Sequence, residues 1–234
     1  MIKRHKYTEK TLMSDFINED ISLLSTVCRF GITLGFGDKN IQETCLENGI
    51  DCNTFLVAVN FLAEGNFEIQ ETENISVQTL INYLKNGHSY FIDYKLPSIR
   101  LKLIDAVETT DKNIPYNVVF LKFFDEYFAE VRKHMAYEDE TVFPYVLKLL
   151  QGKPAKNYRI AKFEEQHGDV ESKLSEFKNI IIKYYPARVT NYMLWDVLTD
   201  ILMCEKELNT HTVVEDYLFV PVISEIEQKL QIAQ

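Results

Sequence analysis

The sequence predicts an all-α protein in which a small helical domain precedes an up-down-up-down four-helix bundle. Glycine and proline are scarce, at 8 and 6 of 234 residues, and long alternating runs of β-branched residues are absent. After residue 75 the chain forms four long helical patterns. Connections of roughly 4–8 residues between these patterns force neighbouring helices to run antiparallel.

A polar stretch marks the expected boundary between the two parts. Residues 64–74 carry charges without a helical apolar stripe, which is typical of a linker. We therefore expect an N-terminal domain at residues 1–65, a linker at residues 66–77 and the bundle at residues 78–234. The N-terminal domain is close to the lower size limit for independent folding.

Short helices are expected in the N-terminal domain, at residues 11–16, 21–29, 41–47 and 54–63. Gly31, Gly35 and Gly37 should break the chain after the second of these helices. Asn48 and Gly49 should stop the third helix. Asn53 is a candidate N-cap for the fourth, because an asparagine side chain can accept from the first free backbone N–H groups.

The four bundle helices are expected at about residues 76–107, 115–151, 155–185 and 190–230. Pro97 should kink or break the first of them, because proline removes an intrahelical hydrogen bond. Pro115 suits the first turn of the second helix. Pro186 should stop the third helix.

Composition narrows the functional classes. A formal net charge of −10 gives little electrostatic support for nucleic-acid binding. No apolar run approaches the ~18–20 residues that span a bilayer, and no apolar signal-peptide core follows the basic start. The four cysteines show no Cys-x-x-Cys spacing, which favours reduced thiols. We expect a soluble cytoplasmic protein, either a monomer or a homodimer.

Two histidines open a repeated motif. In each copy a glutamate follows the histidine by four residues, an aspartate by five and a proline by ten. The copies are His134, Glu138, Asp139 and Pro144, and then His211, Glu215, Asp216 and Pro221. Positions i and i+4 share one face of an α-helix, so each copy aims an imidazole and a carboxylate in the same direction.

The four bundle histidines are also expected at one depth. His88 and His167 each lie about twelve residues after the start of their helices. His134 and His211 lie ten residues before a proline near the end of helices that run the other way. At ~1.5 Å per residue, the four imidazoles fall within a few ångströms of one level.

This coincidence predicts a metal site. Its expected ligands are His88, His134, Glu138, His167, His211 and Glu215. Imidazole and carboxylate donors suit iron, manganese or zinc. Six ligands exceed the four of a closed zinc site and fit two ions, with the glutamates able to bridge them. The site differs from the ferritin-like bundle, in which carboxylates dominate.

The other residues near the motifs are expected to have simpler roles. A lone histidine on a helix is usually a satisfied core or surface residue, and His5, in the basic N-terminal segment, is assigned no role. Asp139 and Asp216 are turned about 100° from the glutamates, which favours solvated or supporting positions. Phe143 is expected to pack the end of the bundle.

The positions of the histidines and glutamates resemble the hemerythrin-like (HHE) cation-binding domain. The whole chain resembles the repair-of-iron-centres (RIC) family, bacterial di-iron proteins with a short N-terminal domain before the bundle. The N-terminal likeness lies in residues 28–39 (CRFGITLGFGDK) and 41–51 (IQETCLENGID). The likeness covers nearly all of residues 10–225.

The resemblance implies a non-haem centre of two iron ions bridged by Glu138 and Glu215. It also implies a role in repairing iron–sulfur clusters damaged by nitric oxide or oxidants, by iron delivery or by handling NO. Small diatomic ligands (O₂ or NO) and damaged or apo iron–sulfur proteins would be the partners.

Two other functions remain open, and the sequence does not decide whether the protein is an enzyme. One is a hemerythrin-like O₂ or NO carrier or sensor without catalysis. Ser89 stands where many related sequences have a second histidine, which favours the repair role over the carrier. The other is an interaction protein in which the N-terminal domain recruits a partner and the metal mainly stabilises the fold.

One departure from the family concerns thiol chemistry. The N-terminal domain of the family usually carries two adjacent cysteines, and the matching positions here are Gly35 and Phe36. Any role of that pair cannot be transferred to this chain. Cys45 matches a cysteine that is often seen slightly later, and within this domain it can pair only with Cys28 or Cys52.

Overall fold

The computed structural model describes residues 6–65, 74–108, 115–153, 158–164, 168–185 and 191–230. Throughout these ranges the regular structure is helical, apart from one isolated antiparallel bridge between Leu12 and Asn40. The predicted all-α fold class is therefore confirmed. No helix in the described ranges is long and apolar enough to cross a membrane. The predictions for His5, His167, Pro186 and most of the linker concern residues outside the described part.

The helices of the first part of the chain are α1 (Met13–Glu19), α2 (Leu24–Arg29), α3 (Ile41–Glu47), α4 (Cys52–Glu64), α5 (Val77–Ser89) and α6 (Leu96–Glu108). Those of the second part are α7 (Pro115–Tyr137), α8 (Phe143–Leu150), α9 (Ala161–Glu164), α10 (Gly168–Tyr184), α11 (Tyr192–Val214) and α12 (Val220–Lys229). A 3₁₀ turn at Ile21–Leu23 precedes α2.

Local side-chain chemistry sets the ends of the N-terminal helices. Asn40 and Glu43 form a reciprocal capping box at the start of α3. Asp51, and not Asn53, caps α4, because its carboxylate accepts from the backbone N–H of Thr54 at 2.8 Å. The prediction for Asn53 is wrong: it lies inside α4, and its amide donates to the Asn74 carbonyl at 2.9 Å.

Three π-helical segments interrupt the long helices, at Tyr90–Lys95, Glu138–Val142 and Glu215–Phe219. Each ends two residues before a proline, namely Pro97, Pro144 and Pro221. Proline lacks a donor, and its ring collides with the carbonyl four residues earlier in a regular α-helix. A widened turn relieves that collision and lets the helix continue. Of the kink or break expected at Pro97, a break does not occur, because helical structure runs through the proline after the widened turn.

The third bundle helix begins later than the sequence predicts. Residues 158–160 are not helical, and α9 starts at Ala161. The expected continuous helix over residues 155–185 is therefore wrong at residues 158–160. The depth predicted for His167 concerns a residue outside the described part.

The described chain divides into two compact units. The first contains residues 1–87, 146–161 and 210–234, and the second contains residues 88–145 and 162–209. An aromatic chain ties the first unit together. Phe16 contacts Tyr7 and Phe55, and Phe30 contacts Phe55 and Tyr83, with ring centroids 4.7–6.0 Å apart. Tyr83 lies on α5, so this chain of rings joins α5 to the N-terminal helices.

The second unit is a four-helix arrangement around one apolar core. Its buried side chains come from α6, α7, α10 and α11 and the π segment before α6. They include Phe91, Leu103, Phe124, Phe177 and Ile201. Cys204 also lies in this core and is fully buried, where a thiol packs as a small apolar side chain.

Ion pairs link each helix of the second unit to its neighbours. Arg100 pairs with Asp125 (α6 to α7), Lys173 with Glu130 (α10 to α7), Lys178 with Glu205 (α10 to α11), and Lys102 with Asp200 (α6 to α11). Tyr90 donates to Glu207 while Ala106 accepts from Asn191, so the first and fourth helices run antiparallel. The predicted antiparallel order is confirmed for this pair.

We expect Asp51→Ala to destabilise the protein by about 1 kcal/mol, because it leaves the first N–H groups of α4 without their acceptor. Asn53→Ala is the matched control, since it removes only an exposed hydrogen bond two residues away. Urea unfolding measures both variants. Equal losses for the two would contradict the assignment of Asp51 as the cap.

Candidate metal centre

Glu138 lies between two imidazoles in the second unit. Its side chain is 1% exposed. His88 Nε2 from α5 lies 2.9 Å from one carboxylate oxygen, and His134 Nε2 from α7 lies 2.8 Å from the other. The i+4 spacing of His134 and Glu138 thus places both on one face, as predicted. His88 and His134 also meet at one level, as the depth argument predicts for these two residues.

The contacts of Glu138 bring two kinds of donor atom together. Each carboxylate oxygen has an imidazole nitrogen within 3 Å. Nitrogen and oxygen donors that converge in a buried position are what a metal ion requires. The donor set therefore fits a first-row transition ion.

Electrostatics keeps this carboxylate ionised. Burial alone would raise the pKa of Glu138, but the imidazoles of His134 and His88 hold it well below its usual range. Burial lowers the pKa of His88, and the carboxylates of Asp139 and Glu138 more than offset this and raise it to about 9. In the absence of an ion, a proton on His88 balances the buried charge. A metal ion must therefore compete with that proton.

Asp139 and Phe143 fix the orientation of the His88 ring. The Asp139 carboxylate lies 3.2 Å from Nδ1, the nitrogen that faces away from Glu138. A carboxylate on the far nitrogen sets the tautomer and makes the ring a better ligand. Phe143 stacks on the ring with centroids 5.6 Å apart and planes 19° apart. Phe143 is fully buried, so this ring packs directly beside the proposed ligand.

The second copy of the motif lies in the first unit. His211 Nε2 is 3.2 Å from a Glu215 carboxylate oxygen, and both side chains are buried. Glu215 opens a π segment in the same way as Glu138. The sequence repeat is therefore a structural repeat, with a histidine in the last α-turn and a glutamate at the first widened turn.

Gly87 makes room for the ring of His211. A Cβ at position 87 would lie 2.7 Å from His211 Nδ1 and 2.9 Å from Cε1. Such distances are far below van der Waals contact, so only glycine lets this imidazole lie against the backbone of α5. Sequence reasoning missed this residue. The available signal was a lone glycine inside a predicted helix.

The buried histidines and glutamates suggest a metal site. His88, Glu138, His211 and Glu215 are each buried and each offers a nitrogen or carboxylate oxygen that can ligate an ion. Such donors suit iron, manganese or zinc. His134 is more accessible, with 18% of its side chain exposed. His167, the sixth predicted ligand, lies outside the described residues.

Comparison with known protein families supports this assignment. The sequence profile of the hemerythrin HHE cation binding domain matches residues 80–223. This chain belongs to the hemerythrin HHE family. The match contains both copies of the histidine–glutamate motif and His88, so the buried donors of each unit lie within the cation-binding domain.

A known relative extends the likeness beyond that domain. The iron-sulfur cluster repair protein ScdA of Staphylococcus haemolyticus (strain JCSC1435) is 20% identical over 219 residues. The alignment covers 90% of this chain and 96% of the relative. It therefore includes the N-terminal helices as well as the HHE domain. Together the two matches confirm the resemblance to the repair-of-iron-centres family.

We expect Gly87→Ala to lower the stability of the metal-free protein. Alanine in a helix interior is normally favoured over glycine by about 1 kcal/mol. A loss of stability would therefore indicate a clash with the His211 ring, and a gain would indicate helix propensity alone. Chemical unfolding measures it, with Lys85→Ala on the exposed side of α5 as control. A more stable Gly87→Ala variant would show that the ring of His211 does not need this space.

Proposed function

We propose that this HHE protein binds a non-haem di-iron centre and takes part in the repair of iron–sulfur clusters damaged by nitrosative or oxidative stress. The observation that carries the proposal is Glu138, a buried and ionised carboxylate with two imidazole nitrogens at 2.8 and 2.9 Å. The family supplies cation binding, and the relative ScdA is an iron–sulfur cluster repair protein.

The proposed ligands are His88, His134, Glu138, His167, His211 and Glu215. The repeat supports two equivalent sets of donors. The motif occurs twice with the same spacing and the same widened turn. Six donors suffice for two ions, and two anionic bridges would offset the repulsion between them.

The chain itself would hold and orient the ions. Two bound irons would supply one-electron chemistry and open positions for a small ligand such as O₂ or NO. Asp139 and Phe143 hold the His88 ring in place. Gly87 leaves the space that the His211 ring occupies. Burial of Glu138 and Glu215 excludes water from the carboxylates, which strengthens their attraction to a cation.

The proposed partners follow from this role. They are a diatomic ligand and a damaged or apo iron–sulfur protein that receives iron. A cytoplasmic location and a monomeric or homodimeric state accompany the proposal as expectations. Whether the protein turns over NO or only donates iron is decided by the experiments below.

We expect about two iron ions per chain after anaerobic reconstitution. Glu138→Ala and Glu215→Ala should each cost more iron binding than the loss of one ligand, because a bridging carboxylate would hold both ions. Elemental analysis with Mössbauer spectroscopy measures stoichiometry and coupling. Glu140→Ala is the matched control, since Glu140 is exposed and lies two residues from Glu138. His5→Ala should also keep full iron.

Saturation at one ion in the native chain would contradict a dinuclear centre. Full di-iron content in Glu138→Ala or Glu215→Ala would show that the substituted carboxylate does not bridge. Loss of iron in Glu140→Ala as well would point to general instability of this helix instead of a specific ligand role.

We expect removal of iron by a chelator to lower the melting temperature. An ion that binds only the folded state adds about 4 kcal/mol when its concentration is a thousand times its dissociation constant. Calorimetry of the apo and reconstituted protein measures this difference. Identical melting curves would contradict a centre that ties several helices together.

Two assays separate the repair role from a carrier. Ferrous protein is mixed anaerobically with an apo iron–sulfur protein, and cluster formation is followed by absorbance. The same protein is exposed to NO with a reductant, and NO consumption is followed. Cluster formation supports iron donation and NO turnover supports NO handling. Reversible binding of O₂ or NO without either activity would favour the carrier or sensor.

A further inference from the structure

The N-terminal domain brings two of the four cysteines together. Cys45 lies on α3 and is fully buried, and Cys52 is the first residue of α4 and is partly exposed. Each thiol lies close enough to the other to change its pKa. Both are free thiols. Of the two partners open to Cys45 from the sequence, the structure selects Cys52.

A well-defined turn holds these thiols in place. Gly49 adopts the left-handed conformation, with φ of 66°. The next residue, Ile50, donates its backbone N–H to the Cys45 carbonyl at 2.9 Å, which folds the chain back over the end of α3. Asp51 then caps α4. The contact between the thiols is thus fixed by hydrogen bonds on both sides of the turn.

The other positions available for thiol chemistry do not form such a pair. Cys28 is exposed, and Cys204 is buried in the core of the second unit. Gly35 occupies a position where the family usually has a cysteine, and its φ of 95° is one that residues with a side chain rarely adopt. A cysteine would be strained in that loop as it stands here.

We propose that Cys45 and Cys52 are a covalent modification site that closes to an intradomain disulfide under oxidation. With a peroxide as oxidant, the Cys52 thiolate attacks one peroxide oxygen, hydroxide leaves and a sulfenic acid forms. The Cys45 thiolate then attacks the sulfur of that sulfenic acid, and a second hydroxide leaves as the disulfide forms. Two thiols and one hydrogen peroxide give one disulfide and two water molecules. With a disulfide as oxidant, two exchange steps form the bond and release two thiols.

The surroundings of the pair make the reaction slow near neutral pH. Burial raises the pKa of Cys45, and Cys52 and Asp51 raise it further. Burial also raises the pKa of Cys52, with Glu9 and Asp51 adding to it, although the contact with Cys45 acts in the opposite direction. Since the thiolate is the nucleophile, oxidation should accelerate as the pH rises. The pair would respond to sustained exposure to oxidant.

Quantitative alkylation of the full-length chain tests the proposal. Cys28→Ser serves as the background, because the exposed Cys28 would otherwise react by itself. The protein is treated with hydrogen peroxide or glutathione disulfide, denatured, labelled with a maleimide and analysed by peptide mass spectrometry. We expect two of the three remaining thiols to be lost and one peptide to link Cys45 to Cys52. Far-UV circular dichroism checks that the fold persists.

Single variants in the same background separate the roles of the two thiols. With Cys45→Ser, Cys52 should accumulate as a stable mixed disulfide with glutathione, because no second thiol resolves it. With Cys52→Ser, Cys45 should stay reduced, because it is buried. Cys204→Ser should behave like the background. Three alkylatable thiols after treatment of the folded background, or a link between other cysteines, would overturn the proposal. Neither result depends on the iron content of the protein.

Discussion

The burial of an ionised carboxylate is the constraint on which the site depends. A glutamate at 1% exposure is strongly unfavourable unless positive charge or an ion compensates it. Glu138 is compensated by imidazoles from two different helices. Electrostatics as well as packing therefore holds the His88 ring against Glu138 within the second unit. The ring of interhelical ion pairs in the same unit acts at the surface, where each pair contributes far less.

A second constraint comes from proline. The three helices that contain His88, His134 and His211 each pass a proline, and each does so with a widened turn. In two cases the widened turn begins at the glutamate itself. A π turn costs backbone hydrogen-bond quality, and such turns persist mainly where function requires them. Pro144 and Pro221, ten residues after His134 and His211, thus favour the widened turns that begin at Glu138 and Glu215.

Much of this could be predicted from the sequence because helical spacing is a local property. The His-x-x-x-Glu pairs needed only the i+4 rule, and both pairs meet as that rule requires. The helix ends that were predicted wrongly are those at which two side chains compete to cap the helix. At α4, Asp51 is the cap and Asn53 is not. The stacking of Phe143 on His88 and the space at Gly87 depend on contacts between distant residues. No periodicity within one helix encodes such contacts.

The cysteine positions of the N-terminal domain differ from those usual in the family, and the backbone of the domain accounts for one of these differences. The loop that usually carries adjacent cysteines here contains a glycine at φ of 95°, so its backbone suits glycine and not a thiol. The contact between thiols lies instead at the turn from α3 to α4, where a buried cysteine meets a partly exposed one. Cys45 is buried, Cys52 is partly exposed, and the pKa of each is raised. The proposed pair should therefore oxidise slowly, because the thiolate is the nucleophile. The histidines and glutamates of the two motifs lie outside this turn.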